Sequence, residues 1–189
     1  MLIELDASPD IFSVSPKIYR PLEGNSVESL TRGKFRGGEI EVVRRTNGID
    51  LAKTRKILWP CGAVFLTRRR SFLRLGGFCD EFLPGYSEDV DLGIRAWRQG
   101  LECLYVPSAT AQHWHNSTFK KEGKHLVEFL LVRNHIILNL KHLPKSKKIP
   151  FFAKRIFRSF RHRNRIELLG VLAGGRRYWR FIKSLWPQS

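Results

Sequence analysis

The stretch GYSEDVDLGIRAWRQG, residues 85–100, decides how this chain is read. Ser87 precedes three acids in four positions, Glu88, Asp89 and Asp91. Val90, Ile94, Trp97 and Leu101 then recur at helical spacing, and Gly100 closes the run. The pattern predicts a helix with Ser87 as its N-cap and acids in its first turn. There the positive end of the helix dipole favours each carboxylate by about 0.3–1 kcal/mol, and Asp91 can pair with Arg95 at i, i+4. Taken alone, an acidic triplet at a helix start needs no further explanation. The same dipole lowers a carboxylate's pKa, so an acid placed here should be a weak base.

Working outward on the N-terminal side, RRRSFLRLGGF (68–78) predicts a short helix stopped by Gly76 and Gly77. Before it the apolar run Ala63–Leu66 predicts a short buried strand. Residues 21–56 are polar and glycine-bearing, a long excursion with room for one hairpin, and IFSVSPKIY (11–19) is strand-like but interrupted by Pro16. On the C-terminal side LECLYVP predicts a strand closed by Pro107, and a helix follows from about Lys124 to a stop at Pro144. Beyond it, basic residues alternate with aromatic and aliphatic ones at roughly helical spacing to the end.

The ordered pieces carry a resemblance. Cys61-Gly62-Ala63 with Arg68 and Arg69, Gly76-Gly77-Phe78, Pro84-Gly85-Tyr86, and Glu88-Asp89-Val90-Asp91-Leu92 with Arg95 come in that order. Gly100, Tyr105-Val106-Pro107, Ala109, His113, Arg133-Asn134 and Lys141 complete the set. From about Ser15 to Leu143 the chain resembles the C-terminal half of family 2 glycosyltransferases of the GT-A fold, particularly the rhamnosyltransferase-like bacterial branch. The resemblance implies an α/β fold: an incomplete, Rossmann-like GT-A core over 1–142, lacking its N-terminal nucleotide-binding half, followed by a basic amphipathic helical tail over 143–189.

It also implies a chemistry. Such enzymes move a sugar from a nucleotide-sugar donor to an acceptor hydroxyl, usually with inversion, in pathways such as cell-surface polysaccharide or glycolipid synthesis. A hydroxyl is a poor nucleophile, so a positioned carboxylate should take its proton as the new bond forms. By resemblance Asp89 is that base, and Glu88 orients it or holds the acceptor. Gly62, Gly77, Tyr86 and Asp91 would line the substrate. His113 would lie near a divalent metal, Mg²⁺ or Mn²⁺, or near the donor diphosphate, and His115 could substitute for it. Arg133-Asn134 would serve packing or acceptor approach. The metal itself is expected mainly through an Asp-x-Asp motif of the donor half. The letters Asp-Val-Asp at 89–91 belong to the acceptor-side motif instead. The expectation is a chain inactive without a donor-binding half, either because it is a fragment of a truncated or split gene or because a second polypeptide supplies that half. One local departure is Cys79, which stands where the family usually has aspartate.

Charge bears on partners. Residues 119–189 hold 18 Lys or Arg against three acids, a net of +15, whereas the first 118 hold 16 basic and 14 acidic groups. Nearly all of the +17 therefore sits in the last 71 residues. FFAKRIFRSF and RRYWRFIKSLW set aromatics beside cations, as helices at anionic membrane surfaces do. Nucleic acid is the rival partner for so basic a segment, but no helix-turn-helix or zinc signature accompanies it. An inactive glycosyltransferase-like interaction module is the third class. Cys61, Cys79 and Cys103 form no C-x-x-C pair and read as reduced thiols. With no secretory signal at Met1, the expected place is the cytoplasm, peripherally at the inner face of the plasma membrane.

Overall fold

A computed structural model describes residues 1–24, 26–44, 47–114 and 123–184, the last by its backbone. Among them the chain forms two compact units. The first holds residues 1–34, 41–79 and 88–117, and the second residues 35–40, 80–87 and 118–189.

The strand-bearing unit is organised by two long strands. Strand β1 (Ile11–Arg20) lies parallel to β7 (Glu102–Gln112); β1 is buried from Ile11 to Pro16, and β7 at Cys103, Tyr105 and Val106 in its first half. Short strands complete the sheet: β2 (Ser26–Val27) and β6 (Leu66–Thr67) run antiparallel to β1, and β5 (Arg55–Ile57) runs antiparallel to β7. A helical turn, α1 (Leu2–Asp6), leads into β1. The excursion between β2 and β5 contains the anticipated hairpin, β3 (Thr31–Arg36) with β4 (Glu39–Arg44).

Two sequence expectations about prolines and strand limits are corrected. Pro107 does not close a strand: β7 runs on to Gln112. The ladder instead shifts register there, since Pro16 pairs with Val106 and the next pair is Lys17 with Thr110. A proline cannot donate to a ladder, and a bulge is where a strand accommodates one. The run Ala63–Leu66 is strand only from Leu66, because residues 61–64 turn, with the Val64 N–H donating to the Cys61 carbonyl.

Helix α2 (Arg69–Arg74) ends as the paired glycines predict. The Gly77 N–H bonds to the Phe72 carbonyl and the Gly76 N–H to the Leu73 carbonyl, with φ of +62° and +83°. This is the reciprocal glycine stop that satisfies carbonyls at a helix end. Helix α3 (Glu88–Arg98) is the helix read from the opening stretch, and it buries Val90, Asp91, Leu92, Gly93 and Ala96. Leu92 and Ala96 join Phe12, Leu30, Ile57, Leu75, Cys103 and Tyr105 in the core.

In the second unit α4 (Lys124–His142), α5 (Lys145–Arg161) and α6 (Arg165–Ser184) pack together. A Cβ at Gly170 would lie 2.8 Å from Val132, and one at Gly174 2.7 Å from the Arg133 carbonyl. The two glycines, one turn apart, therefore let α6 approach α4 closely. Ile136, Leu140, Phe151, Val171 and Tyr178 fill the interior. Compactness thus groups α4 with α5 and α6.

Candidate active site

Asp89 sits in the first turn of α3 and is half-buried. The Gly62 N–H donates to its Oδ2 at 3.1 Å, and the Val90 N–H to its Oδ1 at 2.8 Å. The meeting of these segments follows from α3's packing. One turn further along, Gly93 lies against residues 58 and 59, where an added Cβ would come within 2.4 Å of the Trp59 Cβ and 2.5 Å of the Leu58 carbonyl. Only glycine allows that approach, and positions 89 and 93 share a helix face. Residues 58 and 59 are in turn fixed by Thr31, whose carbonyl and hydroxyl take the Leu58 and Trp59 N–H groups.

Burial pushes the Asp89 carboxyl above the usual aspartate range, outweighing the Gly62 and Val90 hydrogen bonds and the charge of Arg44. The expectation of a dipole-weakened base is thereby corrected: desolvation wins over the helix terminus. Glu88 is raised too, by burial and then by the neighbouring Asp89 charge. Two adjacent acids that both hold protons more tightly than in water are suited to general acid–base work. Ser87 is not an ordinary N-cap, for its φ is +69° where a cap residue is extended.

Two predicted substrate residues have structural posts. Asp91 is fully buried, and its Oδ2 accepts from Arg95 Nε at 2.8 Å. The same guanidinium donates to the Gly77 carbonyl at 2.6 Å and to the Leu75 carbonyl. Asp91 therefore anchors the arginine that holds the glycine turn, and it faces the core instead of a ligand. Gly77 is buried and spends both backbone groups on that turn. Gly62, by contrast, is exposed and touches Asp89 directly.

Tyr86 belongs to the segment 80–87 and has a φ of +75°, as strained as Ser87 after it. Consecutive side-chain-bearing residues in this region cost energy and cluster at functional loops. The Arg133-Asn134 pair accounts for how the segment persists. Asn134 Nδ2 donates to the carbonyls of Gly85 at 2.6 Å, Tyr86 at 2.8 Å and Phe82 at 3.1 Å, and Arg133 donates to that of Leu83. Sequence reasoning gave this pair no chemistry; its helical position hid that both side chains face a loop.

His113 belongs to another cluster, one the sequence did not foretell. Its Nδ1 lies 2.6 Å from Glu28 Oε1, and Cys61 Sγ donates to the same oxygen at 3.2 Å. Burial raises the Glu28 pKa, but the His113 and Cys61 hydrogen bonds and the Arg44 charge outweigh it and leave the carboxyl below its usual range. Burial, then the Glu28 charge, pushes the Cys61 thiol up to about 12. Ligand atoms of the three lie within 4.8 Å of one another. A thiol, an imidazole and one carboxylate match a zinc-like ion, not Mg²⁺, and only two of the three are good donors to Mn²⁺. The cluster could hold a divalent ion through one carboxylate, one imidazole and one thiolate, a set that suits a zinc-like ion better than the Mg²⁺ or Mn²⁺ that the resemblance implies. His115 lies outside the described residues.

Comparisons with known proteins bear on these sites. No family model matches the chain. Seventy-three residues are 40% identical to the N-acetylglucosaminyl-diphospho-decaprenol L-rhamnosyltransferases of Mycobacterium tuberculosis strains CDC 1551 / Oshkosh and ATCC 25618 / H37Rv. The match covers 38% of this chain and 24% of those relatives. In structure the chain resembles GalNAc-T7, crystallised with UDP, GalNAc and Mn²⁺, with a TM-score of 0.52 at 16% identity, over 97% of this chain and 38% of that one. The chain is therefore a glycosyltransferase-like protein with the α/β architecture of part of a GT-A enzyme, similar over a stretch of its sequence to a bacterial rhamnosyltransferase.

Proposed function

We propose that this chain supplies the acceptor side of a family 2 glycosyltransferase that moves a sugar, with inversion, from a nucleotide-sugar donor to a hydroxyl of a saccharide or lipid-linked acceptor. The observation that carries the proposal is Asp89: a half-buried carboxylate, gripped by the Gly62 N–H at 3.1 Å and made more basic by burial. Each carboxylate oxygen accepts one backbone N–H and keeps lone-pair capacity for an incoming hydroxyl. As the acceptor oxygen bonds to the anomeric carbon, its proton passes to Asp89. The bond from that carbon to the donor phosphate breaks, and the electron pair leaves with the nucleoside diphosphate. Glu88 orients the acceptor or its neighbour.

A divalent ion belongs to this reading, since the structural neighbour was crystallised with Mn²⁺. An Asp-x-Asp motif on a donor-binding half would be its main holder, and when bound such an ion neutralises charge on a leaving diphosphate. The relatives' name specifies a sugar on a diphospho-polyprenol, which supports a lipid-linked acceptor and a role in cell-surface polysaccharide or glycolipid synthesis. Such an acceptor calls for work at a membrane. No helix among the described residues is long and apolar enough to cross one. On α5 exposed Ile149, Phe157 and Phe160 form one stripe beside Lys154 and Arg161, and on α6 exposed Leu169, Leu172 and Trp179 stand among Arg165, Arg176 and Arg180. These faces support peripheral attachment to an anionic surface, the inner face of the plasma membrane.

The test is a transfer assay of the chain, alone and with a donor-binding polypeptide, across nucleotide sugars and lipid-diphosphate acceptors. Product should form only with both polypeptides, with its anomeric configuration inverted. Turnover by the chain alone would refute the shared-enzyme part. No product in any combination would favour an inactive module.

A further inference from the structure

The helical unit contains an open surface hollow of about 360 Å³ lined by Phe129, Arg133, Ala173, Arg176, Arg177 and Arg180. Its size falls within the roughly 300–1,000 Å³ of small-ligand sites. Residues 173, 176, 177 and 180 recur at i, i+3/i+4 and so present one face of α6, with the small Ala173 leaving room between the arginines. Arg133 comes from α4 and is 93% hidden from solvent, its side chain spending only Nε and Nη2 on Asn134 and the Leu83 carbonyl. Arg177 uses one donor on the Asp80 carbonyl at 2.6 Å. A guanidinium carries five N–H donors, so most of those around the hollow remain for a ligand.

What is missing around the hollow is an acid. Among the described residues no carboxylate pairs with any of the four arginines, whereas Arg155 and Arg158 share Glu167, and Lys154 and Arg155 share Glu39. Burial and then the neighbouring Arg177 charge hold Arg133 down at about 10. Four cations that repel one another, turned into one hollow without a counter-charge, have a use if an anion enters. Bidentate forks match the oxygens of phosphates and carboxylates. Four forks exceed the needs of one carboxylate or one phosphate group, but not those of a diphosphate, with its larger charge and more numerous oxygens.

We propose that Arg133, Arg176, Arg177 and Arg180 form a binding site for a diphosphate group. That the diphosphate is the one joining sugar to lipid in the acceptor rests on the acceptor reading above; the anion site itself stands on the arginines alone.

The experiment is calorimetric titration of the full chain with inorganic pyrophosphate and with inorganic phosphate at physiological ionic strength, for the wild type and three variants. Pyrophosphate should bind more tightly than phosphate. Arg176→Glu/Arg180→Glu, two exposed positions whose exchange leaves the fold intact by circular dichroism, should weaken it by at least about tenfold. Lys145→Glu/Lys147→Glu, an equal charge change on α5 outside the hollow, should leave it within about twofold. Asp89→Asn should not alter it, so the site is tested whether or not the catalytic reading holds. Equal weakening by both charge pairs, or no preference for pyrophosphate, would overturn the site. Sedimentation with phosphatidylcholine vesicles carrying polyprenyl diphosphate, against vesicles of matched charge carrying phosphatidylglycerol, then tests the source. Preference for the diphosphate vesicles, lost in Arg176→Glu/Arg180→Glu, is expected. Equal binding to both would overturn the acceptor assignment and leave a site for soluble diphosphate.

Discussion

The two units solve the problem of buried charge in opposite ways. In the strand-bearing unit, acids go inside with a partner or a purpose: Asp91 meets Arg95, Glu28 meets His113 and Cys61, and Asp89 meets only backbone N–H groups. In the helical unit the excess is cationic, and only part of it is answered, by Glu39 and Glu167. The contrast teaches where to look for ligands. A charge already matched inside its unit builds structure, and a buried charge without an opposite charge beside it, Asp89 in one unit and Arg133 with the more exposed arginines around its hollow in the other, is the candidate for chemistry.

Several substitutions would break or sharpen this contrast. The largest loss is expected from Asp91→Ala, which strands the Arg95 guanidinium in a largely buried place and should cost about 3–5 kcal/mol of stability. Thermal melting followed by tryptophan fluorescence would measure it, and a loss near zero would mean that Asp91 is no structural anchor. Asn134→Ala is the counterpart in the helical unit. It leaves the carbonyls of Phe82, Gly85 and Tyr86 without their shared donor, for about 1–3 kcal/mol, with hydrogen exchange rising in 80–87 first. Unchanged exchange there would show that the loop holds its strained shape without that side chain.

Smaller effects come from pH. The His135 hydrogen bond, supported by Lys154 and the Arg155 charge, draws the Glu39 pKa down to about 2 from 4.5 against the opposing effect of burial. A depressed acid contributes stability above its unfolded pKa and loses it on acidification, so the helical unit should weaken as pH falls from 4.5 towards 2. Glu39→Gln should flatten that slope in acid-denaturation curves. Asp89 carries the opposite sign. Its raised pKa favours the protonated fold, so its contribution fades as pH rises through that pKa. Asp89→Asn should therefore slightly stabilise the strand-bearing unit near neutrality, a mark of an acid kept for function.

Much of this was legible in the sequence, for identifiable reasons. Helix α3, the glycine stop at Gly76-Gly77 and the long α4 follow from local periodicity and end signals, which act within a few residues. The Asp91–Arg95 pair was readable for the same reason, one turn of helix apart. The order of motifs pointed to the GT-A architecture. Hidden were the contacts that join distant segments: Glu28 with His113 across 85 positions, Asn134 with the loop near Gly85 across 49, and the Arg133 partnership with α6. Sequence alone also misjudged the basicity of Asp89, because the dipole is a local property of the helix whereas desolvation depends on what packs around it. Pro107 misled in the same way, since a register shift in a parallel pair leaves no local trace.

The central claim is that the Asp89 carboxylate takes the acceptor's proton. Its most direct measurement is sugar transfer by the assembled enzyme with Asp89 and with Asp89→Asn, the fold of each verified by circular dichroism. The account predicts a fall in kcat of about 10²–10⁴-fold, the usual contribution of a positioned base, with donor binding intact. Turnover unchanged by the asparagine would contradict it.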